Sequence, residues 1–403
     1  MSERIIFHID VNSAFLSWTA VKRLQDGEPL DLRTVPSAIG GDIKSRRGVI
    51  TAKSIPAKAY GVTTGEPVAA ALKKCPGLLV FPGDFQLYHQ MSEAFRAILY
   101  DTTPEVEPFS IDECFMDMSG VLKGADREEI VAAADALRER ISRELSFTVN
   151  AGISENKLLA KTASDFKKPD RTHTLFQDEI PYKFWPLPVR DLLFAGRSSE
   201  QRLHQLGIRT IGQLAKTPLS VLQAHFGEKT GSYLYRAANG IDDSPVKTEH
   251  EDAKSYGNSV TLPEDILSAE EAYPVLLSLS DKVASRMLKD NVRGDTVTVT
   301  IRSNSFEDHS RQHKMPLRTY ASDLIYKEAV RLFDELYDKK TPLRLLNVSV
   351  SGLSREGSAE QMSLFGEEER DKKEKLNEML DALNERYGKG TVKRGTFYDK
   401  DQD

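Results

Sequence analysis

The segment Val106-Glu-Pro-Phe-Ser-Ile-Asp-Glu-Cys-Phe-Met-Asp117 carries two adjacent acids, Asp112 and Glu113, among apolar residues. A pair of strands around a turn is predicted for 104–118, because Pro108 favours a turn close to the acids. Adjacent side chains of a flat strand point to opposite faces of the sheet. The two carboxylates can therefore serve one site only if they lie at a strand end or in the turn.

A third acid, Asp10, closes an apolar run near the start of the sequence. Residues 4–9 predict a buried strand, which places the Asp10 carboxylate at its C-terminal edge, and residues 13–25 predict a helix. Carboxylates that converge repel one another and need cations, and hard oxygen ligands that leave room for substrate phosphates suit Mg²⁺. The alternative is that Asp10 caps a turn and the other two acids are solvated. The apolar neighbours favour acids that emerge from a core.

Composition narrows the class of protein. The chain has 403 residues, 39% hydrophobic and 29% charged, which predicts a soluble protein of a few domains. Its two cysteines, Cys75 and Cys114, cannot build a disulfide framework or a cysteine-rich zinc site, so a reducing cytoplasm is expected. Neither a signal peptide nor a membrane span is predicted. The net charge of −6 neither favours nor excludes nucleic acid, because binding depends on local basic patches.

The predicted secondary structure and the composition change from one segment of the chain to the next. Strands alternate with helices up to about residue 165, which predicts an α/β or α+β core. From about 187, short helices joined by tight turns predict an all-helical unit, and the polar stretch 241–253 predicts a linker. Residues 254–352 predict the order β-α-β-β-α-β of a split βαβ sandwich. Within it, Val297, Val299 and Ile301 alternate with polar residues, which predicts a sheet with one buried face. A short amphipathic helix carrying Leu376, Met379, Leu380, Leu383 and Tyr387 is predicted in the tail. The predicted fold class is α+β.

Four motifs occur in order along the chain: Ile9-Asp-Val-Asn-Ser-Ala-Phe15, Ser54-Ile-Pro-Ala-Lys-Ala-Tyr-Gly-Val62, Ser110-Ile-Asp-Glu113 and Gly152-Ile-Ser-Glu-Asn-Lys-Leu-Leu-Ala-Lys161. Together they resemble the successive motifs of Y-family DNA polymerases, of the bacterial DNA polymerase IV and UmuC-like branch. The resemblance runs from residue 4 to about 352, and the tail is also similar to that branch.

The resemblance implies a right-hand polymerase. The expected domains are a palm (1–13 and 84–168), small fingers (14–83), an all-helical helix-hairpin-helix thumb (169–240), a linker (241–253), a βαββαβ little finger (254–353) and a tail (354–403). This division agrees with the α/β core, the helical unit and the βαββαβ unit predicted from the residues themselves.

The resemblance also implies the catalytic residues. Asp10, Asp112 and Glu113 match the family's metal-binding acids, with the Val11 carbonyl as a further ligand, and two Mg²⁺ ions are expected. Two such ions can activate an attacking hydroxyl and stabilise leaving pyrophosphate. Asn12 stands where the family often has another acid, and that position is not one of the metal ligands.

Nucleotide contacts follow from the same motifs. Phe15 matches a bulky gate that excludes a ribose 2′-hydroxyl, although such a residue could equally be a core aromatic. Lys58 and Lys161 match the two basic triphosphate contacts. The first of these is usually Arg, and a Tyr usually stands at Ile55, so both positions depart from the pattern. The small residues expected to form the roof over the nascent base pair are Val49, Thr51 and Gly65.

Contacts with DNA and with a partner protein are expected elsewhere. Gly207-Ile-Arg-Thr-Ile-Gly212 resembles a helix-hairpin-helix turn whose backbone N–H groups bind a DNA phosphate. The preceding hairpin departs from the pattern, with Phe194 where a Gly is usual. Basic residues that could follow the DNA backbone are Lys254, Arg302, Arg311, Lys314 and Arg344. The peptide resembling a sliding-clamp motif is Gln361, Met362, Ser363, Leu364 and Phe365.

The function expected from these features is low-fidelity, template-directed DNA synthesis past lesions, without proofreading. A primer 3′-hydroxyl would attack the α-phosphate of a deoxynucleoside triphosphate. The partners would be primer–template DNA, the nucleotide and the clamp, and the protein would be a monomer. Two alternatives stay open: a structure-specific DNA nuclease using the same acids, and a non-catalytic scaffold that binds DNA and clamp.

Overall fold

The computed structural model describes residues 4–42, 48–249, 252–355 and 367–388. The chain forms two compact units, of which the first holds the described residues up to 249 and the second those from 252 onward. Within these ranges, no helix has both the length and the apolar character needed to cross a membrane.

The first unit begins with β1 (Ile6–Val11), α1 (Ala14–Gln25), β2 (Ser37–Gly40), β3 (Ile50–Lys53), α2 (Ile55–Ala59), α3 (Val68–Lys74), β4 (Leu79–Phe81) and α4 (Phe85–Thr102). It continues with β5 (Val106–Pro108), β6 (Glu113–Asp117), α5 (Arg127–Leu145), β7 (Val149–Ser154), α6 (Lys157–Ser164) and β8 (Thr172–Thr174). Single-turn helices at Gln177–Glu179, Ile180–Phe184 and Val189–Asp191 lead into α7 (Arg197–Gln205), α8 (Ile211–Ala215), α9 (Leu219–Phe226) and α10 (Glu228–Ala238).

The larger sheet of this unit has the order β5-β6-β1-β7-β8, and β1 pairs antiparallel with both β6 and β7. Every residue of β1 is buried. One face of the strand packs Phe7 and Ile9 against α1, α4 and α5, and the other packs Ile6 against α6. The apolar run at residues 5–9 is therefore a central strand covered on both faces, and Asp10 lies where it leaves the core.

A smaller sheet has the order β3-β2-β4, with β2 antiparallel to β3 and parallel to β4. Ser54 begins α2 by accepting the N–H of Ala57 at 3.1 Å. The core beneath includes Ile50, Val62 and Val68. Apart from β3, these elements were not predicted, because helices of one or two turns and strands of a few residues show too little apolar periodicity.

Helices α7 to α10 have their own core, which includes Leu203 and Leu234. Gly207, after α7, has a φ of +78°, a conformation that glycine adopts without strain. Gly212 lies so close to Trp185 that an added Cβ would be 2.8 Å from the Trp185 Cβ. Gly207 is thus favoured by its backbone conformation, and Gly212 by the lack of room for a side chain.

The stretch predicted as a linker, 241–253, contains no helix or strand in its described part, but its first residues are fixed on the first unit. Asp242 Oδ2 accepts the N–H of Leu158 at 3.0 Å, and the Lys247 N–H donates to Glu107 Oε2 at 2.7 Å. Val246 packs against the face of the larger sheet that carries Ile6. The polar composition of this segment therefore reflects hydrogen bonding to the sheet and α6 as far as residue 247.

The second unit contains β9 (Ser255–Ile266), α11 (Ala269–Lys289), β10 (Val292–Ser303), β11 (Asp308–Thr319), α12 (Ser322–Leu336), β12 (Leu343–Ser351), β13 (Ser354–Arg355) and α13 (Glu367–Tyr387). Its sheet has the order β11-β10-β12-β9, with β13 paired to β10. Val297, Val299 and Ile301 are buried in the core shared with α11 and α12. The predicted β-α-β-β-α-β order is confirmed.

Helix α13 is held on this unit by polar contacts. The carboxylate of Glu374, only 3% exposed, lies 2.9 Å from Arg293 Nη2 and accepts the Thr319 hydroxyl at 2.9 Å. Of the large apolar residues of the helix, Leu380 is half-buried, and the exposed ones are Leu376, Met379, Leu383 and Tyr387. The amphipathic pattern correctly predicts a helix here, but its polar residues make the docking contacts. The clamp-like peptide 361–365 lies outside the described residues.

Candidate active site

The acids from the first and third motifs meet at one end of two neighbouring strands. Asp10 in β1 and Glu113 in β6 are direct partners in the antiparallel register. The Val11 N–H donates to the Asp112 carbonyl at 3.0 Å. The N–H groups of Phe109 and Ser110 both donate to the Glu113 carbonyl, which closes a tight turn. Asp112 thus lies in the turn and Glu113 at the strand end, the arrangement that lets adjacent acids serve one site.

Asp10 is a buried carboxylate with a lysine beside it. Only 6% of the residue is exposed, and burial raises the pKa of Asp10 to about 7. The Lys168 Nζ, 2.8 Å from Asp10 Oδ1, opposes this shift by favouring the ionised form. The same ammonium lies 2.9 Å from Asp165. Asp10 is therefore a carboxylate whose charged form depends on a cation held against it.

Glu113 has a different environment. Burial alone would raise the pKa of Glu113, but contacts from His8 and Lys161 lower it to about 2. Lys161 Nζ lies 2.7 Å from Glu113 Oε2, and His8 Nε2 lies 3.3 Å from the same oxygen. Complete burial lowers the pKa of His8 to about 4, and its Nδ1 lies 2.8 Å from the Ser164 hydroxyl. Glu113 is accordingly an ionised carboxylate at neutral pH.

These acids fit a divalent cation by donor chemistry. They offer only hard oxygen ligands, which suit Mg²⁺, and lysine ammonium groups contact Asp10 and Glu113. Asp112 instead accepts the Ser110 hydroxyl at 2.6 Å. Across the described ranges, no group of three or more His, Cys, Asp or Glu side chains is arranged to hold a metal ion. Metal binding therefore requires these carboxylates to exchange their present partners for the cation.

A cavity of about 270 Å³ adjoins this cluster. Lys168, which holds Asp10, lines it together with Asn12, Lys58 and Ile55. Ile55 is 57% exposed and presents no polar group. Lys161 does not line this cavity, because its ammonium is engaged by Glu113. The structure thus brings one of the expected triphosphate contacts to the cavity and the other to the carboxylates.

Phe15 belongs to an aromatic cluster beside the site. Its ring stacks on Tyr88 with centroids 4.4 Å apart and meets Trp18 and Phe85 at about 6 Å. The residue is half-buried. The packing is that expected of a core aromatic, and the gate role stays a prediction.

The residues expected to form the roof lie in β3 and directly beside it. Val49 and Thr51 are exposed, whereas Ile50 between them is fully buried. The Gly65 N–H donates to the Ile50 carbonyl at 2.7 Å, and nothing lies within 4 Å of the position where a Cβ would project. Val49 and Thr51 are therefore exposed beside Gly65, which has open space where a side chain would project.

Comparison with known proteins identifies the family. Residues 9–165 match the impB/mucB/samB family, 253–364 match its C-terminal domain, and 191–242 match the thumb domain of DNA polymerase-iota. A protein named DNA polymerase IV from Clostridium acetobutylicum is 42% identical over 99% of both chains. DNA polymerase IV 1 of Bacillus subtilis is 35% identical over 99% of this chain and 94% of its own.

This chain belongs to the Y family of DNA polymerases. A solved Y-family DNA polymerase chimera has the same fold, with a TM-score of 0.76 at 21% identity, over 87% of this chain and 99% of the chimera. As a Y-family member the chain is a DNA-directed DNA polymerase of the translesion class. Its substrates are primer–template DNA and deoxynucleoside triphosphates, and the family generally uses divalent metal ions.

The thumb turn of this Y-family polymerase differs from expectation in one respect. The backbone N–H groups from Gly207 to Gly212 all donate within the protein. Two of them, from Arg209 and Thr210, donate to the side-chain oxygen of Gln213 at 2.7 and 3.3 Å. A DNA phosphate would have to displace Gln213 to reach these donors. In the preceding hairpin, Phe194 keeps a glycine-like φ of 61°.

The basic residues expected to follow DNA do not all share a face of the Y-family C-terminal domain. Arg311 is the register partner of the buried Val299 and lies 2.7 Å from Glu335 of α12. It therefore lies on the side of the sheet that the helices cover, and its contact with DNA stays a prediction. Arg302 and Lys314 oppose polar positions on the other face, where Arg302 pairs with Asp308.

Two residues at the site were missed by sequence reasoning. His8 precedes Asp10 by two positions in a strand, so the two side chains share a face of the sheet. The two-residue repeat of a strand could therefore have identified His8 as a neighbour of Asp10. Lys168 carried no comparable signal, because its contact with Asp10 depends on how the segment after α6 returns to β1.

Proposed function

We propose that this polymerase extends a primer by nucleotidyl transfer with two Mg²⁺ ions held by Asp10, Asp112, Glu113 and the Val11 carbonyl. The observation that supports this most directly is the register pairing of Asp10 with Glu113 beside the Asp112 turn. When bound, the metal ions would lower the pKa of the primer 3′-hydroxyl and stabilise charge on the leaving pyrophosphate.

The chain's own residues prepare this site in complementary ways. The buried environment of Asp10 disfavours its ionised form in the absence of a cation, so binding of positive charge is strengthened there. Glu113 is held ionised and is oriented by contacts with Lys161 and His8. When Glu113 binds the metal instead of Lys161, the Lys161 ammonium would be free to contact a phosphate of the nucleotide. Lys58 contacts the same triphosphate from the cavity.

Selectivity follows from the surrounding side chains. The exposed edge of Phe15 would lie under the sugar and exclude a 2′-hydroxyl. Val49, Thr51 and Gly65 would form a roof that checks little of the base-pair shape, which accounts for low fidelity and for acceptance of damaged templates.

Contacts beyond the nucleotide complete the proposal. Gly207 and Gly212 would present backbone to a DNA phosphate, and Arg302 and Lys314 would contact the duplex from the open face of the second unit's sheet. The peptide 361–365 would bind a bacterial sliding clamp. That the protein is a cytoplasmic monomer stays a prediction from the sequence.

A primer-extension assay with Mg²⁺ tests the mechanism. Asp112→Asn should reduce extension at least about a thousandfold while DNA affinity is kept, because one charged ligand is lost. Asp117→Asn is the matched control, since Asp117 ends the strand that follows the Asp112 turn and, among the described residues, its carboxylate is hydrogen-bonded by nearby Ser119. Extension by Asp112→Asn at the control's rate would refute the assignment. If the wild-type protein shortens the primer instead, a nuclease is supported. If it neither extends nor shortens the primer, a non-catalytic scaffold is supported.

A further inference from the structure

The cavity beside the acids lacks two donors that the family pattern includes. Ile55 offers no hydroxyl, and Lys58 provides a point charge where an arginine fork would make two parallel hydrogen bonds. A triphosphate carries several negative charges, so the cavity needs other cations to hold it. The inference rests on the proposed nucleotide site and identifies a further cation that could bind the triphosphate.

Strand β3 carries a lysine on the face that bears the roof residues. Side chains alternate along a strand, and Ile50 and Ala52 are buried whereas Thr51 and Lys53 are at least partly exposed. Lys53 therefore shares a face with Thr51 and lies one step nearer to α2. Its Nζ donates to the Thr64 hydroxyl at 3.1 Å, which fixes the ammonium beside the loop that carries Gly65.

The cations around the cavity differ in their partners. Arg33 is paired with Asp31 at 2.8 Å, and Lys168 with Asp10 at 2.8 Å. Lys53 and Lys58 also line the cavity, and within the described ranges neither forms an ion pair. Two cations of the cavity wall are thus available to an incoming anion.

The acid whose charge acts on Lys53 already has other partners. Glu66 accepts Lys74 Nζ at 2.6 Å and the Thr63 N–H at 2.7 Å. Burial lowers the pKa of Lys53, and the charge of Lys58 lowers it further. One polyanion bound between the two ammonium groups would stabilise the charged form of Lys53.

We propose that Lys53 is an additional triphosphate contact in this polymerase, acting with Lys58 on the phosphates that are not transferred. Two point charges from β3 and α2 would take the place of one arginine fork and one tyrosine hydroxyl. Such contacts are the same in the ground state and the transition state, so they act on KM for the nucleotide rather than on kcat.

Steady-state single-nucleotide extension on one primer–template tests this role. Lys53→Gln should raise KM for the nucleotide about tenfold, as expected for loss of one charge-assisted hydrogen bond, and should leave kcat within about twofold. Lys53→Arg should restore most of the affinity. Lys73→Gln is the matched control, because Lys73 is an exposed lysine of α3 outside the cavity. A KM for Lys53→Gln equal to that of the control would overturn the proposal.

A second measurement separates this inference from the proposed function. Inorganic tripolyphosphate is titrated calorimetrically into the full-length wild type, Lys53→Gln and Lys73→Gln, in the absence of DNA. Weaker binding by at least about fivefold in Lys53→Gln alone supports the lysine pair as an anion site, and equal binding by all three refutes it. If the wild type extends no primer, the proposed function fails, and this titration still decides the role of Lys53.

Discussion

Replacing Phe15 with alanine is expected to change sugar selection and stability by separately measurable amounts. The ring is half-buried and stacks on Tyr88. A fully buried Phe→Ala change typically costs about 3–5 kcal/mol, so a half-buried ring should cost roughly 2 kcal/mol. If the exposed part excludes a ribose 2′-hydroxyl, its removal should lower discrimination by about 1.4–3 kcal/mol, or about 10–150-fold.

The change in sugar selection is measured by comparing a deoxynucleotide with a ribonucleotide as substrate. The ratio of kcat/KM for a deoxynucleotide and the matching ribonucleotide is determined for both proteins, and urea unfolding of the full chain reports stability. Phe85→Ala is the control, because Phe85 meets Phe15 edge-on and is 61% exposed. It should cost less stability and leave the ratio unchanged. A Phe15→Ala enzyme that is destabilised by about 2 kcal/mol but keeps the wild-type ratio would show that the ring is only a core aromatic.

The remaining predictions concern the thumb and the tail. Gly212→Ala should destabilise the protein by about 2–3 kcal/mol and weaken DNA binding, because the new Cβ would lie 2.8 Å from Trp185. Gly207→Ala should cost only about 1 kcal/mol, from its positive φ, and equal urea midpoints for the two variants would contradict this. Leu364→Ala with Phe365→Ala should leave extension on naked DNA unchanged and abolish stimulation by loaded clamp. Each anchor should contribute about 2 kcal/mol or more, so an unchanged clamp affinity would disprove the assignment.

Much of the fold was predictable because its long elements carry strong patterns. The apolar run before Asp10 predicted a buried strand, and the alternation around Val299 predicted a sheet with one covered face. The elements β2, α2, α3 and β4 were not predicted, since they are short and lie among polar residues. The family resemblance placed Asp10 and Glu113 in one site. The structure brings them together at one sheet edge, because antiparallel pairing puts Asp10 opposite Glu113.

What could not be predicted depends on contacts between distant segments. The pairing of Lys168 with Asp10 requires the return of the chain after α6, for which no local pattern exists. Arg311 was grouped with Arg302 because both are basic strand residues, yet the strand register separates their faces. The apolar residues of α13 predicted a helix but not which side of it is docked, because buried ionic contacts such as Glu374 with Arg293 outweigh the pattern.

The docking of α13 bears on how a clamp would be held. The residues 356–366 connect β13, which pairs with β10, to α13, which Glu374 fixes to the same unit. The clamp-like peptide is therefore joined to the second unit at both of its ends. A clamp bound there would be tied to the second unit through two attachment points, which leaves it a smaller search volume than a peptide at a free chain end would allow.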